Sequence, residues 1–260
     1  MEKSEIARLL SPLVQEGADL YEVGGPVRDG LLNVASKDHD ILCRGLPMKK
    51  LVSLLRPHGK VAAVGKSFGV VKFNPSRAPG LEIDIALPRR ERSTGSGHRD
   101  FDVDFDPNLP VEADLGRRDF TVNAMAMSLT EGKLIDPYGG EADLKAGILR
   151  QVFPKAFKED PLRLVRAVQF AARFGLTIEP ITWSAMRENA ELVASVSGER
   201  ISQELVKLMR APRPSVGFDL MRDSGLLKHI LPELDALRGI EQDKQPGDDV
   251  YGHTMRALDA

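Results

Sequence analysis

Apolar positions along the chain follow two different periods, and the change falls in the second half. Up to about Arg150, short runs rich in β-branched residues alternate with Gly, Pro and Asp: Leu20–Val23, Val61–Val64, Val70–Phe73, Leu81–Leu87 and Lys133–Ile135. Runs of this length bounded by turn formers predict strands. Helical spacing interrupts them over Glu5–Glu16, Pro47–Arg56 and Asn123–Ser128, so this half is expected to be mixed α/β. Ser93–Asp114 holds Gly, Asp and Pro without periodicity and reads as a long loop. From Phe157 onward the pattern is helical throughout: Leu162, Val165, Val168, Phe170, Ala171 and Phe174 share helical spacing, and Gly175 stands where a C-cap belongs. Further helices are expected over Ile181–Val193, Ser197–Met209 and Val216–Ser224. No internal repeat or low-complexity tract is visible.

The fold class that follows is α+β: a small mixed β-sheet with flanking helices over 1–150, and all-α segments over 151–225 and 226–260. Composition agrees, since 260 residues at 42% hydrophobic and 28% charged can bury a real core. No apolar run reaches the roughly 18–20 residues of a membrane span, and the opening Met1–Val14 is charged and amphipathic. A cytoplasmic setting with no membrane partner is expected. The single cysteine, Cys43, lies in an apolar stretch and reads as packing. With a net charge of −2, an RNA partner would have to be held by local basic clusters. Asp248–Ala260 begins a helix and stops without a cap, so the natural chain is expected to continue.

Candidate chemistry starts at Val23–Asp29, where Gly24 and Gly25 follow an apolar strand and precede a helix with Pro26 in its first turn. Such a turn offers backbone N–H groups to a phosphate, and Arg28 adds a matching fork, although a Gly-Gly pair alone is usually an ordinary turn. Asp38 and Asp40 change the balance. In an extended segment, residues two apart point to one face, so both carboxylates can converge as hard-oxygen ligands for Mg²⁺. His39 between them should point the other way. A third carboxylate is sought in Leu81–Leu87, where Glu82 and Asp84 share a face, and Asp84 is the better candidate because it lies deeper in the apolar run.

Four separated motifs in this order resemble the class II nucleotidyltransferases, the CCA-adding enzymes and their bacterial poly(A) polymerase relatives. Gly24–Asp29 with Asp38 and Asp40 resembles the family's metal-binding motif, and Arg117–Met125 its second motif. Asp136–Gly140 resembles the hinge between its head and neck, which implies a catalytic head at 1–150, a helical neck at 151–225 and the start of a helical body at 226–260. Glu159–Arg166 resembles the motif by which the protein itself pairs with the incoming base. The resemblance implies catalytic metal ligands Asp38, Asp40 and Asp84, a two-ion Mg²⁺ mechanism, and nucleotide contacts from Gly24, Gly25, Arg28, Arg118, Asp160, Arg163 and Arg166. It further implies addition of C and A from CTP and ATP to the 3′ end of tRNA or another RNA, with release of pyrophosphate. A-only addition and poly(A) synthesis share these motifs and stay open, as does, in a different class, a catalytically silent RNA-binding domain.

On helical spacing Asp160 and Arg163 would share one face, and an acceptor and a donor fork suit the edges of cytosine and adenine. Gln169 departs from the family, which often has arginine there. The basic, Gly-rich stretch Arg89–Arg99 resembles a mobile element linked to the change from C to A addition. His253 resembles the first histidine of an HD-type phosphohydrolase, without a paired His-Asp before Ala260. Val64–Ser67 resembles the end of a Walker loop but lacks its first glycine, since Lys60 stands there, and is set aside. Trp183 and the Phe residues of the neck read as packing.

Overall fold

The structure, a computed structural model, describes residues 3–35, 38–64, 69–93, 101–241 and 249–260. It divides into two compact units, one comprising Met1–Thr94 and Phe101–Asp143, the other chiefly Leu144–Ala260. Val64–Ser67 and the Gly-rich part of Arg89–Arg99 lie largely outside the described residues, as does Asp248.

In the first unit the chain runs α1 (Lys3–Leu9), α2 (Ser11–Gln15), β1 (Asp19–Val23), α3 (Gly25–Leu31), β2 (Asp40–Arg44), α4 (Met48–Leu55), β3 (Gly59–Val64), β4 (Val70–Pro75) and β5 (Ile83–Ala86). It continues through β6 (Arg89–Ser93), β7 (Phe101–Phe105), α5 (Val111–Leu115), β8 (Ala126–Ser128), β9 (Leu134–Ile135) and α6 (Gly140–Ala146), which leads into the second unit. Among the described residues, seven strands form one mixed sheet in the order β3-β4-β5-β2-β1-β8-β9. Only β2 and β5 pair in parallel within it.

Alternation explains the sheet's two faces. Leu20, Ile41, Cys43, Val71, Phe73, Ile83 and Ile85 are buried together with Ile6, Leu10 and Leu13 of the N-terminal helices and Leu51 and Leu55 of α4. Each such large side chain taken from water is worth about 1.5–3 kcal/mol. Cys43 is part of this core, and burial pushes its thiol up to about 12, which leaves it inert. The intervening residues of β2, β4 and β5 face the other way, and these are the ones that carry the charges.

In the first unit, two stretches differ in kind from the sequence expectation. Asn123–Ser128, read as a helix, is a 3₁₀ turn at Thr121–Asn123 followed by β8. The turn is held from outside the segment, because Asn123 joins two side chains at a distance, and β8 pairs with β1, so tertiary partners override a weak local period. Ser93–Asp114, read as a loop, contains β7, which pairs with β6, and then α5. Phe101-Asp102-Val103-Asp104-Phe105 does alternate with period two, but its charged positions hide a short two-stranded ribbon.

The second unit corrects the all-helical expectation for 151–225, because Ile148–Leu149 (β10) pairs in parallel with Thr177–Ile178 (β11), and the helix expected over Ile181–Val193 ends at Glu188 before a 3₁₀ segment at Ala190–Ser195. Otherwise it is helical, with α7 (Ala156–Glu159), α8 (Leu162–Phe174), α9 (Pro180–Glu188), α10 (Gly198–Leu208), α11 (Pro214–Ser224), α12 (Leu227–Ile230), α13 (Pro232–Asp235) and α14 (Val250–Asp259). Gly175 ends α8 at φ +64°, a left-handed conformation that costs glycine little. The apolar stripe of α8 is buried against α10 and α11. None of the described helices is long and apolar enough to cross a membrane.

Candidate active site

Register places a row of charges across three adjacent strands. Asp40 of β2 stands opposite Asp84 of β5, which stands opposite Lys72 of β4. Directly paired residues project to the same face, so the three share the side of the sheet away from the helical core. Asp38 lies exposed in the segment leading into β2. Burial is the main cause that pushes the Asp40 carboxyl up to about 6; Arg118 offsets part of it, and the negative charges of Asp84, Asp38 and Glu22 add to it. The carboxylates therefore feel one another. His39 is buried, as its position between outward-facing aspartates requires, and burial lowers its pKa despite the nearby Glu22.

The glycine turn joins this face to the second motif. Gly24 has φ +73°, and a Cβ there would meet Arg118 Nη1 at 2.5 Å, so the bare backbone is what allows the guanidinium to lie against the turn. Arg118 donates from Nη2 to Asp114 Oδ2 at 3.2 Å, while its Nε is buried without a hydrogen-bond partner. Burial alone would raise the Asp114 carboxyl, but Arg117 and Arg118 outweigh it and hold the carboxyl below its ordinary value. Asp114 thus anchors both arginines from the fully buried end of α5.

Arg28 has a different place from Arg118. Its guanidinium is buried, donating from Nη1 to Asn123 Oδ1 at 2.6 Å and from Nε to Asp29 Oδ1 at 2.9 Å. Asn123 in turn donates to Asp119 Oδ1 at 3.1 Å. The chain Arg28–Asn123–Asp119 ties α3 to the 3₁₀ turn. Asp136 accepts from the backbone N–H groups of Gly140 and Glu141 at 2.7 and 2.9 Å, which makes the Asp136–Gly140 motif a helix start.

In the second unit, Asp160 is not on the helix that carries Arg163, which corrects the shared-face expectation. It has extended geometry, φ −137° and ψ 98°, because Pro161 disfavours helical backbone in the residue before it. Asp160 accepts from Arg200 Nη2 at 3.0 Å and from Leu162 N at 3.2 Å. Arg163 donates to the Ala156 carbonyl at 3.2 Å and lies over the Phe153 ring at 5.3 Å. Arg166 is 3.5 Å from Glu204 and lies over Phe170 at 5.1 Å. Gln169 is buried, and with its amide turned to satisfy its neighbours it accepts from Arg173 at 2.8 Å.

Sequence reasoning missed Lys72, Asn123, Arg200 and Glu204. Lys72 had a signal, a lone cation alternating with Val71 and Phe73 in an apolar strand. Arg200 had none, since its partner lies 40 positions away.

The carboxylates suit a hard divalent cation, yet they do not form a closed cage. Among the described residues, no three His, Cys, Asp or Glu side chains converge tightly enough to hold a metal ion by themselves. Asp84 Oδ1 is buried without a hydrogen bond and Asp40 is crowded by like charge, and a cation would relieve both. An open carboxylate set completed by water and substrate phosphate is how Mg²⁺ is usually held.

Most of the chain is similar to known proteins. Residues 20–150 match the family model described as the poly A polymerase head domain, and residues 175–238 match a probable RNA and SrmB-binding site of polymerase A. A multifunctional CCA protein of Chromobacterium violaceum is 42% identical over 247 residues, covering 93% of this chain and 57% of that protein. Among solved structures, the Bacillus stearothermophilus CCA-adding enzyme in complex with CTP superposes with a TM-score of 0.78 at 32% identity, covering 91% of this chain and 57% of that one. The Thermotoga maritima CCA-adding enzyme complexed with tRNA gives 0.71 at 32% identity, covering 88% and 52%. The chain spans little more than half the length of these relatives.

Proposed function

Because the chain belongs to the poly A polymerase head-domain family, we propose that it carries the nucleotide-transferring part of a tRNA nucleotidyltransferase, which adds C and A from CTP and ATP to a tRNA 3′ end. The observation that carries this reading is the alignment of Asp40 with Asp84 on one face, with Arg118 against the Gly24 turn. Asp38, Asp40 and Asp84 would hold Mg²⁺, which when bound lowers the pKa of a hydroxyl and neutralises charge developing on phosphate.

The chain's own groups supply the rest. The Gly24–Gly25 turn lets a triphosphate approach the backbone, and Arg118, with Nε uncommitted, donates to it. Arg28 keeps the turn in place through Asn123 and Asp29. Asp160 accepts from, and Arg163 donates to, the edge of the incoming base. Cytosine and adenine each offer an amino donor beside a ring-nitrogen acceptor, whereas uracil and guanine present the wrong pattern. The reaction joins the RNA 3′ oxygen to the α-phosphorus and breaks the bond to pyrophosphate, which leaves.

The test supplies a tRNA lacking its 3′ CCA with CTP alone, ATP alone, or both, and reads product length. Addition of C, C and A requires both nucleotides; A-only products or long A tails assign the related activities. No incorporation under any condition, with tRNA binding retained, would favour a silent RNA-binding domain.

A further inference from the structure

The charge row across the sheet contains a cation that the proposed chemistry does not use. Lys72 stands directly opposite Asp84, on the face that carries Asp40. Its Nζ is 3.4 Å from Asp84 Oδ1 and forms a tight ion pair with Glu82, two residues before Asp84. The three side chains are partly open to solvent, at 36%, 38% and 49% for Lys72, Asp84 and Glu82. A lysine ammonium is a compact charge on a flexible stem, so it can shift between two nearby carboxylates. Asp84 Oδ1 is buried without a hydrogen bond, and at 3.4 Å the lysine offsets its charge without a close contact.

We propose that Lys72, shared between Glu82 and Asp84, is the built-in counter-ion of Asp84 and is drawn wholly onto Glu82 when a divalent cation binds, so that Lys72 and Glu82 together set the metal affinity of the site. A fixed positive charge so close to a ligand oxygen opposes a second cation, and the opposition falls if the lysine has another carboxylate to occupy. Glu82 is that acceptor. The inference rests on the reading of Asp84 as a cation ligand.

The two residues predict opposite signs. Lys72→Gln removes the competing charge and should tighten Mn²⁺ binding by about 3–10-fold, whereas Glu82→Gln leaves Lys72 on Asp84 and should weaken binding by a similar factor. The measurement is Mn²⁺ titration of the whole protein without nucleotide, followed by the electron paramagnetic resonance of free Mn²⁺, with thermal melts confirming folding. Lys72→Gln binding no more tightly than the unaltered protein overturns the proposal, including the case in which neither binds. Glu82→Gln binding as tightly as the unaltered protein also overturns it. Asp84→Asn separates the two levels: if it binds Mn²⁺ undiminished, the ligand role of Asp84 fails first.

Discussion

The Asp40 face of the first unit and the surroundings of Asp160 in the second differ in how charge is compensated. On the sheet of the first unit, Asp40 is crowded by Asp84, Asp38 and Glu22, and buried polar atoms of Asp84 and Arg118 make no hydrogen bond. In the helical unit, Asp160 is held by Arg200 and a backbone N–H, while Arg163 and Arg166 each lie over a phenyl ring. A site that must take in cations and phosphate benefits from charge left under-compensated, because the ligand supplies the missing partner. A site that must choose between bases benefits from side chains already fixed in place, because any freedom to rotate weakens discrimination.

The largest test of that contrast is Asp40→Ala. Nucleotide incorporation should fall by about a thousandfold or more, while folding survives, as read from single-turnover extension and a thermal melt. Near-normal extension would remove the sheet from the chemistry. Arg118→Ala should lower incorporation by about a hundredfold, mainly through the triphosphate contact, and loss of folding in place of activity would mean that Arg118 serves Asp114 alone.

Asp40→Asn probes under-compensation without a substrate. The folded-state pKa is raised from 3.8 to about 6, so ionising Asp40 costs the folded metal-free protein stability above that value. Asparagine should therefore stabilise the metal-free protein by about 3 kcal/mol at pH 8. The gain should shrink as pH falls through 6 and vanish below 3.8, where aspartic acid is protonated in both states. Denaturant melts at pH 8 and pH 4 check both sign and window, and an equal gain at both would show that charge is not the cause.

The smallest effect is expected in the helical unit. Arg200→Ala releases Asp160 from its ion pair and should reduce discrimination against UTP and GTP by about tenfold, with CTP incorporation less affected. Competition between CTP and UTP measures it. A uniform loss for all nucleotides would indicate that Arg200 supports only the fold.

Much of this was readable along the chain because it depends on local periods. Period-two runs mark the core strands, and Gly175 ends a helix where a left-handed residue is needed. Asn123–Ser128 could not be read this way, because its conformation depends on Arg28, Asp119 and strand β1. Asp160 was set on a helix although Pro161 already argued against it, a local rule that the apolar period obscured.

The sequence by itself determined the alternation of β1 to β5, the helical second unit and the types of residue available for chemistry, since each follows from short-range sterics and burial. Only the tertiary structure decided which charges meet. The parallel pairing of β2 with β5 sets Asp40 beside Asp84, β4 adds Lys72 to the row, and Gly24 receives an arginine 94 positions away. Strand order and register arise from packing the whole apolar face at once, and no local pattern carries that information.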